Sequence, residues 1–257
     1  FKGGGEPHLW DPATDIVEQA PNAGWNIFCA GHTLTADGKL FIAGGHVVTP
    51  VGLPHASLYD PTTNSWNRVP DMNDARWYPT TTMLNNGDIL TISGTIERGV
   101  QNEIPQVFDV SENNWRTLTT AKLKTSLYPM MYQITANKVF MAGNQKASRF
   151  LDITGTGKWL NIINSNFGTR SAGTSVMYED GKIMIAGGGT PTESVEIINI
   201  KTSSPKWTYA APMPVKRRHA NSTLLPTGEV LITGGTQGDN DQANMAVKKA
   251  DVWNPVT

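Results

Sequence analysis

An all-β propeller is the fold class that the 257-residue chain predicts, and three observations predict it. Short apolar runs are split by glycine-containing turn dipeptides, of which Asp37-Gly38 is the clearest, and such dipeptides suit the positive φ values of a tight hairpin. The second run of each pair ends at an exit, Gly44, Ser93, Gly143, Gly187 and Gly234, and these exits follow one another at 49, 50, 44 and 47 residues. Downstream tryptophans at Trp66, Trp115, Trp159 and Trp207 repeat at 49, 44 and 48 residues. Units of this kind cannot bury a core singly, so they stack as blades.

Composition agrees with a turn-rich β chain. The 25 glycines and 16 prolines are spread along its length, and only 17% of residues are charged. With 21 basic and 22 acidic residues the formal charge is −1, which predicts neither nucleic acid nor an anionic membrane as partner. No apolar run approaches the roughly 18 residues of a spanning helix. The single cysteine, Cys29, excludes an internal disulfide, and no CxxC or HExxH spacing suggests zinc. His8, His32, His46, His55 and His219 are isolated in sequence, and none is assigned to a metal.

Taken in order, the chain enters partway through a unit. Leu9-Trp10-Asp11-Pro12 resembles Leu58-Tyr59-Asp60-Pro61 and, later, Val252-Trp253-Asn254-Pro255, each an outer strand followed by a turn. Residues 1–257 are therefore expected to be one propeller domain interrupted at both ends, and the opening Phe1-Lys2-Gly3-Gly4-Gly5, without methionine or a signal-like segment, is expected to be processed or cut. The hairpin turns fall at Asp37-Gly38, Asn86-Gly87, Asn137-Lys138, Asp180-Gly181 and Thr227-Gly228. Glycines let inner strands crowd the axis, while the tryptophans fill the wider space between blades. A period near 50 is that of kelch repeats, and Met72-Asn73-Asp74-Ala75-Arg76 and Met213-Pro214-Val215-Lys216-Arg217 show the kelch habit of a methionine and a basic residue before the innermost strand. Those residues are expected to be architectural.

Cys29 sets the first complete unit apart, and Tyr78 occupies the matching place in the next: each lies 15 residues before its exit, Gly44 or Ser93. Equal offsets put both side chains at one height near the axis on adjacent blades. Taken singly, each residue type is as well explained by packing.

Phe28-Cys29-Ala30-Gly31 and Arg76-Trp77-Tyr78-Pro79 together resemble the copper radical oxidases, the galactose oxidase and glyoxal oxidase family; Arg-Trp-Tyr-Pro and Leu127-Tyr128-Pro129 favour the glyoxal oxidase-like branch. The resemblance implies that Cys29 and Tyr78 are joined by a thioether, that Tyr78 is a copper ligand and the seat of a protein-derived radical, and that the parent is a secreted, copper-dependent oxidase of small aldehydes or primary alcohols, consuming O2 and releasing H2O2. An ortho sulfur makes the phenol ring easier to oxidise, and the protein supplies position, ligand field and a dry pocket. It also implies about seven blades when complete, of which about five to six are covered.

Departures from the family pattern shape the remaining expectations. No Tyr-His pair completes the copper site; Arg218-His219 stands nearest, and His219 is read as structural. A further blade is expected to bring a tyrosine near position ~266, directly followed by histidine, with a later β-domain supplying the second histidine. The chain alone is expected to be inactive. The loop Thr95 to Pro105 carries no aromatic residue to cover the thioether, as a tryptophan does in galactose oxidase, which leaves sugar specificity unsupported. Glu97 and Arg98 face either substrate or solvent, and Tyr128 either lines the axial mouth or packs in the core. The alternatives are a non-catalytic kelch propeller binding glycans or proteins through its loops, and a cross-linked scaffold without copper.

Overall fold

Each apolar run becomes a strand and each glycine dipeptide a hairpin turn in the computed structural model, which describes residues 6–238 and 242–256. The opening residues 1–5, on which the expectation of processing rests, lie outside the described residues. At the turns Gly38, Gly87, Gly181 and Gly228 take φ values of 81°, 90°, 77° and 83°, where a side chain would be strained. Two compact units are distinguished: residues 1–129 with 153–158, and residues 130–152 with 159–257.

The first unit opens with the two-stranded hairpin β1 (His8–Asp11) and β2 (Ile16–Gln19). A four-stranded antiparallel sheet follows in sequence order: β3 (Gly31–Leu34), β4 (Leu40–Ala43), β5 (Ala56–Asp60) and β6 (Ser65–Val69). The next blade starts with β7 (Thr80–Met83) and β8 (Ile89–Ile92), detours through a small hairpin of β9 (Thr95–Glu97) and β10 (Val100–Gln101), and finishes with β11 (Gln106–Asp109) and β12 (Asn114–Thr117). Phe41, Ala43, Ala56, Val69, Met72, Ile89 and Phe108 form the core between these blades, with the Phe41 and Phe108 rings stacked at 5.3 Å.

The second unit repeats the plan. β13 (Met131–Thr135), β14 (Lys138–Met141), β15 (Ala147–Asp152) and β16 (Lys158–Asn164) make one blade. β17 (Thr174–Glu179), β18 (Lys182–Ala186), β19 (Val195–Asn199) and β20 (Thr208–Ala210) make the next. β21 (Arg218–Leu224), β22 (Val230–Thr236) and β23 (Asp251–Trp253) form a three-stranded sheet. Phe140, Ile183, Ile185, Ile198 and Trp207 pack between the first two, and Met184, Val195, Met213, Val230 and Ile232 between the second and third.

The repeated tryptophans reach back to the preceding repeat, as blade filling requires. Trp66 and Trp115 donate their indole N–H to the carbonyls of Pro21 (2.8 Å) and Pro70 (2.7 Å), each 45 residues earlier, and Trp207 donates to Ser148 Oγ at 3.1 Å from just before β20. Exit glycines permit close contact: a Cβ on Gly44 would stand 2.4 Å from the Arg76 carbonyl oxygen, and one on Gly187 2.4 Å from that of Arg217.

Three arginines are almost wholly buried, Arg76, Arg170 and Arg217, each 17 residues before its own exit. Each Nη1 donates to the exit carbonyl, Ser93 at 2.7 Å, Gly187 at 3.1 Å and Gly234 at 3.1 Å, so the guanidinium ties the start of a blade to the end of its second strand. Arg170 also pairs with buried Glu196 at 2.9 Å and Arg217 pairs with Asp251. Arg76 instead donates Nη2 to the Ile104 carbonyl (2.7 Å) and Asn73 Oδ1 (3.1 Å), and burial pushes it down to about 9.

Candidate active site at Cys29 and Tyr78

Cys29 and Tyr78 begin their blades with the same backbone kink, a left-handed φ of 65° at each. A side chain in this region costs about 1–3 kcal/mol, so the surrounding blade must hold it there. The Tyr78 N–H donates to the Cys29 carbonyl at 2.9 Å, which joins the two kinks directly. Tyr128, φ 46°, repeats the arrangement, its N–H donating to the Tyr78 carbonyl at 3.0 Å. In the second unit Ala172 (φ 57°) and His219 (φ 56°) are joined in the same way at 2.8 Å. All five residues stand 15 before their exits, so the position is a feature of the repeat and only its side chain varies.

At this position Cys29 and Tyr78 lie beside each other, near enough for the thiol and the phenol to influence each other's ionisation. Burial pushes the Cys29 thiol up, with smaller opposing effects from the Tyr78 hydroxyl and the Trp77 side chain. Burial, and then the neighbouring Cys29 sulfur, push Tyr78 up to about 12. Both groups are therefore protonated at neutral pH. Tyr128, raised by burial, adds a second protonated phenol, whose hydroxyl donates to the Ala30 carbonyl at 3.3 Å.

Aromatic rings cover both faces of Tyr78. Trp77 stacks on one with centroids 3.6 Å apart and planes at 9°, and Tyr128 stacks at 4.5 Å and 22°. Aromatic cover, sought in the loop after Ser93, thus comes from the residue directly before the tyrosine and from the next blade. In that loop Glu97 and Arg98 are exposed. Tyr128 is 39% exposed and lies beside Tyr78. The Ser93 hydroxyl, at the exit where the other four units have glycine, donates to the Ser126 carbonyl (2.8 Å) and accepts from Gln101 Nε2 (2.6 Å).

Cu(II) takes its ligands from nitrogen and oxygen donors. The phenol of Tyr78 is one oxygen ligand, but no cluster of three or more His, Cys, Asp or Glu occurs among the described residues. His32 and His219 are exposed, and His46 Nδ1 accepts the Trp77 indole N–H at 3.0 Å. This donor set does not by itself make the tetragonal nitrogen and oxygen site that Cu(II) takes.

Sequence reasoning missed Trp77 and His46 as neighbours of the pair, and no spacing points to either. It also left the place of Tyr128 open, although the 15-residue offset from Gly143 marks it.

Residues 29–73 match the kelch motif. Over 256 residues the chain is 29% identical to galactose oxidase of Gibberella zeae, covering 88% of this chain and 37% of that protein. Over 250 residues it is 25% identical to the aldehyde oxidase GLOX of Vitis pseudoreticulata, covering 85% and 46%, and 28% identical to a WSC domain-containing protein of Arthroderma benhamiae, covering 82% and 26%. The chain thus spans less than half the length of each of these relatives. Among solved structures, a fungal alcohol oxidase of the AA5 family in complex with copper superposes with a TM-score of 0.85 at 21% identity, over 98% of this chain and 57% of that one, which establishes the fold. By repeat and fold the chain is an all-β kelch-type propeller, and in sequence it is similar to galactose oxidase and to the aldehyde oxidase GLOX.

Proposed function

We propose that this chain carries the redox side chains of a secreted copper radical oxidase, with a thioether between Cys29 Sγ and the ring carbon ortho to the Tyr78 hydroxyl. The observation that carries the reading is the pairing of these two residues on kinked backbones of matching φ, joined by the 2.9 Å bond from the Tyr78 N–H to the Cys29 carbonyl. Forming the thioether makes one C–S bond and removes two hydrogens, one from the thiol and one from the ring, which O2 accepts as H2O2.

Tyr78 is proposed as one copper ligand, the others coming from sequence outside these 257 residues, as the coverage of the relatives leaves room for. Copper bound there would supply a redox partner for the oxidised tyrosine, so that the pair accepts two electrons from a small aldehyde or primary alcohol. This chain's own residues hold the phenol: the Cys29 carbonyl fixes the Tyr78 backbone, and Trp77 and Tyr128 limit access to the ring edge. The overlying indole of Trp77 also excludes water from one face.

The test is peptide mass mapping of the full-length protein matured with copper and O2. Joined Cys29 and Tyr78 peptides, two hydrogens lighter than their sum, with O2 uptake on methylglyoxal or primary alcohols, are expected. Separate peptides with an alkylatable Cys29 overturn the redox reading and leave a non-catalytic propeller. The 257-residue chain alone should show no tight one-to-one copper binding by calorimetry; tight binding would mean that its ligand set includes residues other than Tyr78.

A further inference from the structure

Trp77 and Tyr78 are sequence neighbours, and in an extended strand neighbouring side chains point to opposite faces. The φ of 65° at Tyr78 breaks that alternation and lays the indole flat on the phenol, centroids 3.6 Å apart. Aromatic pairs ordinarily settle with centroids about 4.5–7 Å apart, so this overlap is imposed by the backbone. Two bonds of 2.8 Å between the backbones of Trp77 and Thr95 hold it.

The indole of Trp77 carries one polar group. Its N–H, a donor only, donates to His46 Nδ1 at 3.0 Å, so this nitrogen carries no proton and is a base aimed at the N–H. His46 is partly exposed, and Phe28, 38% exposed, meets it edge-on at 5.5 Å. Phenol, indole and imidazole therefore form a continuous contact from Tyr78 toward solvent. Removing an electron from an indole makes its N–H strongly acidic. A base already bonded to that N–H takes the proton without rearrangement.

We propose that Trp77 and His46 form a relay by which one-electron oxidising equivalents reach Tyr78 from solvent. An outer-sphere one-electron oxidant takes an electron from Trp77 while the indole proton passes to His46 Nδ1, leaving a neutral indolyl radical and an imidazolium. Trp77 then takes an electron from Tyr78 and recovers its proton from His46, and the Tyr78 hydroxyl proton leaves to water. In sum the oxidant gains one electron, and Tyr78 loses one electron and one proton. The biological purpose of the relay rests on the proposed redox role of Tyr78; its existence does not.

Flash oxidation of the copper-free full-length protein with photogenerated tris(bipyridine)ruthenium(III), followed by transient absorption and freeze-quench electron paramagnetic resonance, tests it. In the unsubstituted protein an indolyl signal should decay as a phenoxyl signal rises. In Tyr78→Phe the indolyl signal should last at least about tenfold longer, and in Trp77→Phe the phenoxyl yield should fall at least about fivefold. The Trp77→Phe variant also records the background from the remaining tryptophans. His46→Gln retains an acceptor for the N–H but no base, and should slow Trp77 oxidation at least about fivefold while the near-ultraviolet circular dichroism is kept. Unchanged phenoxyl rate and yield in Trp77→Phe, or His46→Gln behaving as the unsubstituted protein, overturns the relay. A missing Cys29–Tyr78 cross-link overturns the proposed function and leaves these outcomes as they are.

Discussion

The kinked position that opens each blade carries Cys29, Tyr78 and Tyr128 in the first unit but Ala172 and His219 in the second. Backbone angles and the inter-blade bonds are alike in both, so the geometry belongs to the architecture and would exist without chemistry. What differs is the side chain. In the first unit three polarizable or oxidisable groups converge, and in the second an alanine and an exposed histidine occupy the same backbone. A propeller thus offers a ring of equivalent positions, and function is assigned by which of them receive reactive residues.

Exchanging side chains on the shared kink has the largest expected effect. Tyr78→Phe and Cys29→Ser in the full-length protein should each abolish the cross-linked peptide and lower turnover about a thousandfold or more, since the reacting group itself is removed. Ala172→Ser and His219→Gln should change turnover by no more than about tenfold. A large loss in either of the latter would show that the second unit's positions are also chemical.

The buried arginines give a second contrast. Arg170→Met leaves Glu196 fully buried with donors from Asn166 but without its counter-charge, and should cost about 3–5 kcal/mol in denaturant unfolding. Arg76→Met strands only neutral acceptors, the Ser93 and Ile104 carbonyls and Asn73 Oδ1, and should cost about 1–3 kcal/mol. Equal losses would mean that the ion pair adds nothing beyond the shared ties to the exits.

Smaller effects follow at the kink itself. Ala172→Gly should stabilise the chain by about 0.5–1 kcal/mol, the relief of left-handed strain exceeding the added freedom of the unfolded glycine. Alkaline titration should be mildly destabilising. Tyr78 and Tyr132 are both pushed up to about 12 in the folded chain from an ordinary value near 10, chiefly by burial. The unfolded chain therefore releases these protons first, so their contribution is full below pH ~10 and is lost as pH rises toward ~12. A melting temperature that does not fall over that range would show the phenols to be as accessible folded as unfolded.

Local chemistry made the blades legible before any coordinates. Glycine turns, apolar runs and the spacing of exits and tryptophans are properties of single segments, and counting back 15 residues from Gly44 and Ser93 was enough to pair Cys29 with Tyr78. The all-β repeat and that pairing are legible in single segments, because a tandem fold converts equal offsets into equal places. What surrounds the pair comes from tertiary packing. His46 lies 31 residues from Trp77, and a side chain so distant is brought to an indole N–H by loop geometry that no period encodes. The stacking of Trp77 on its own neighbour contradicts strand alternation and depends on a left-handed φ at a non-glycine residue, a strain that only the packed blades can hold.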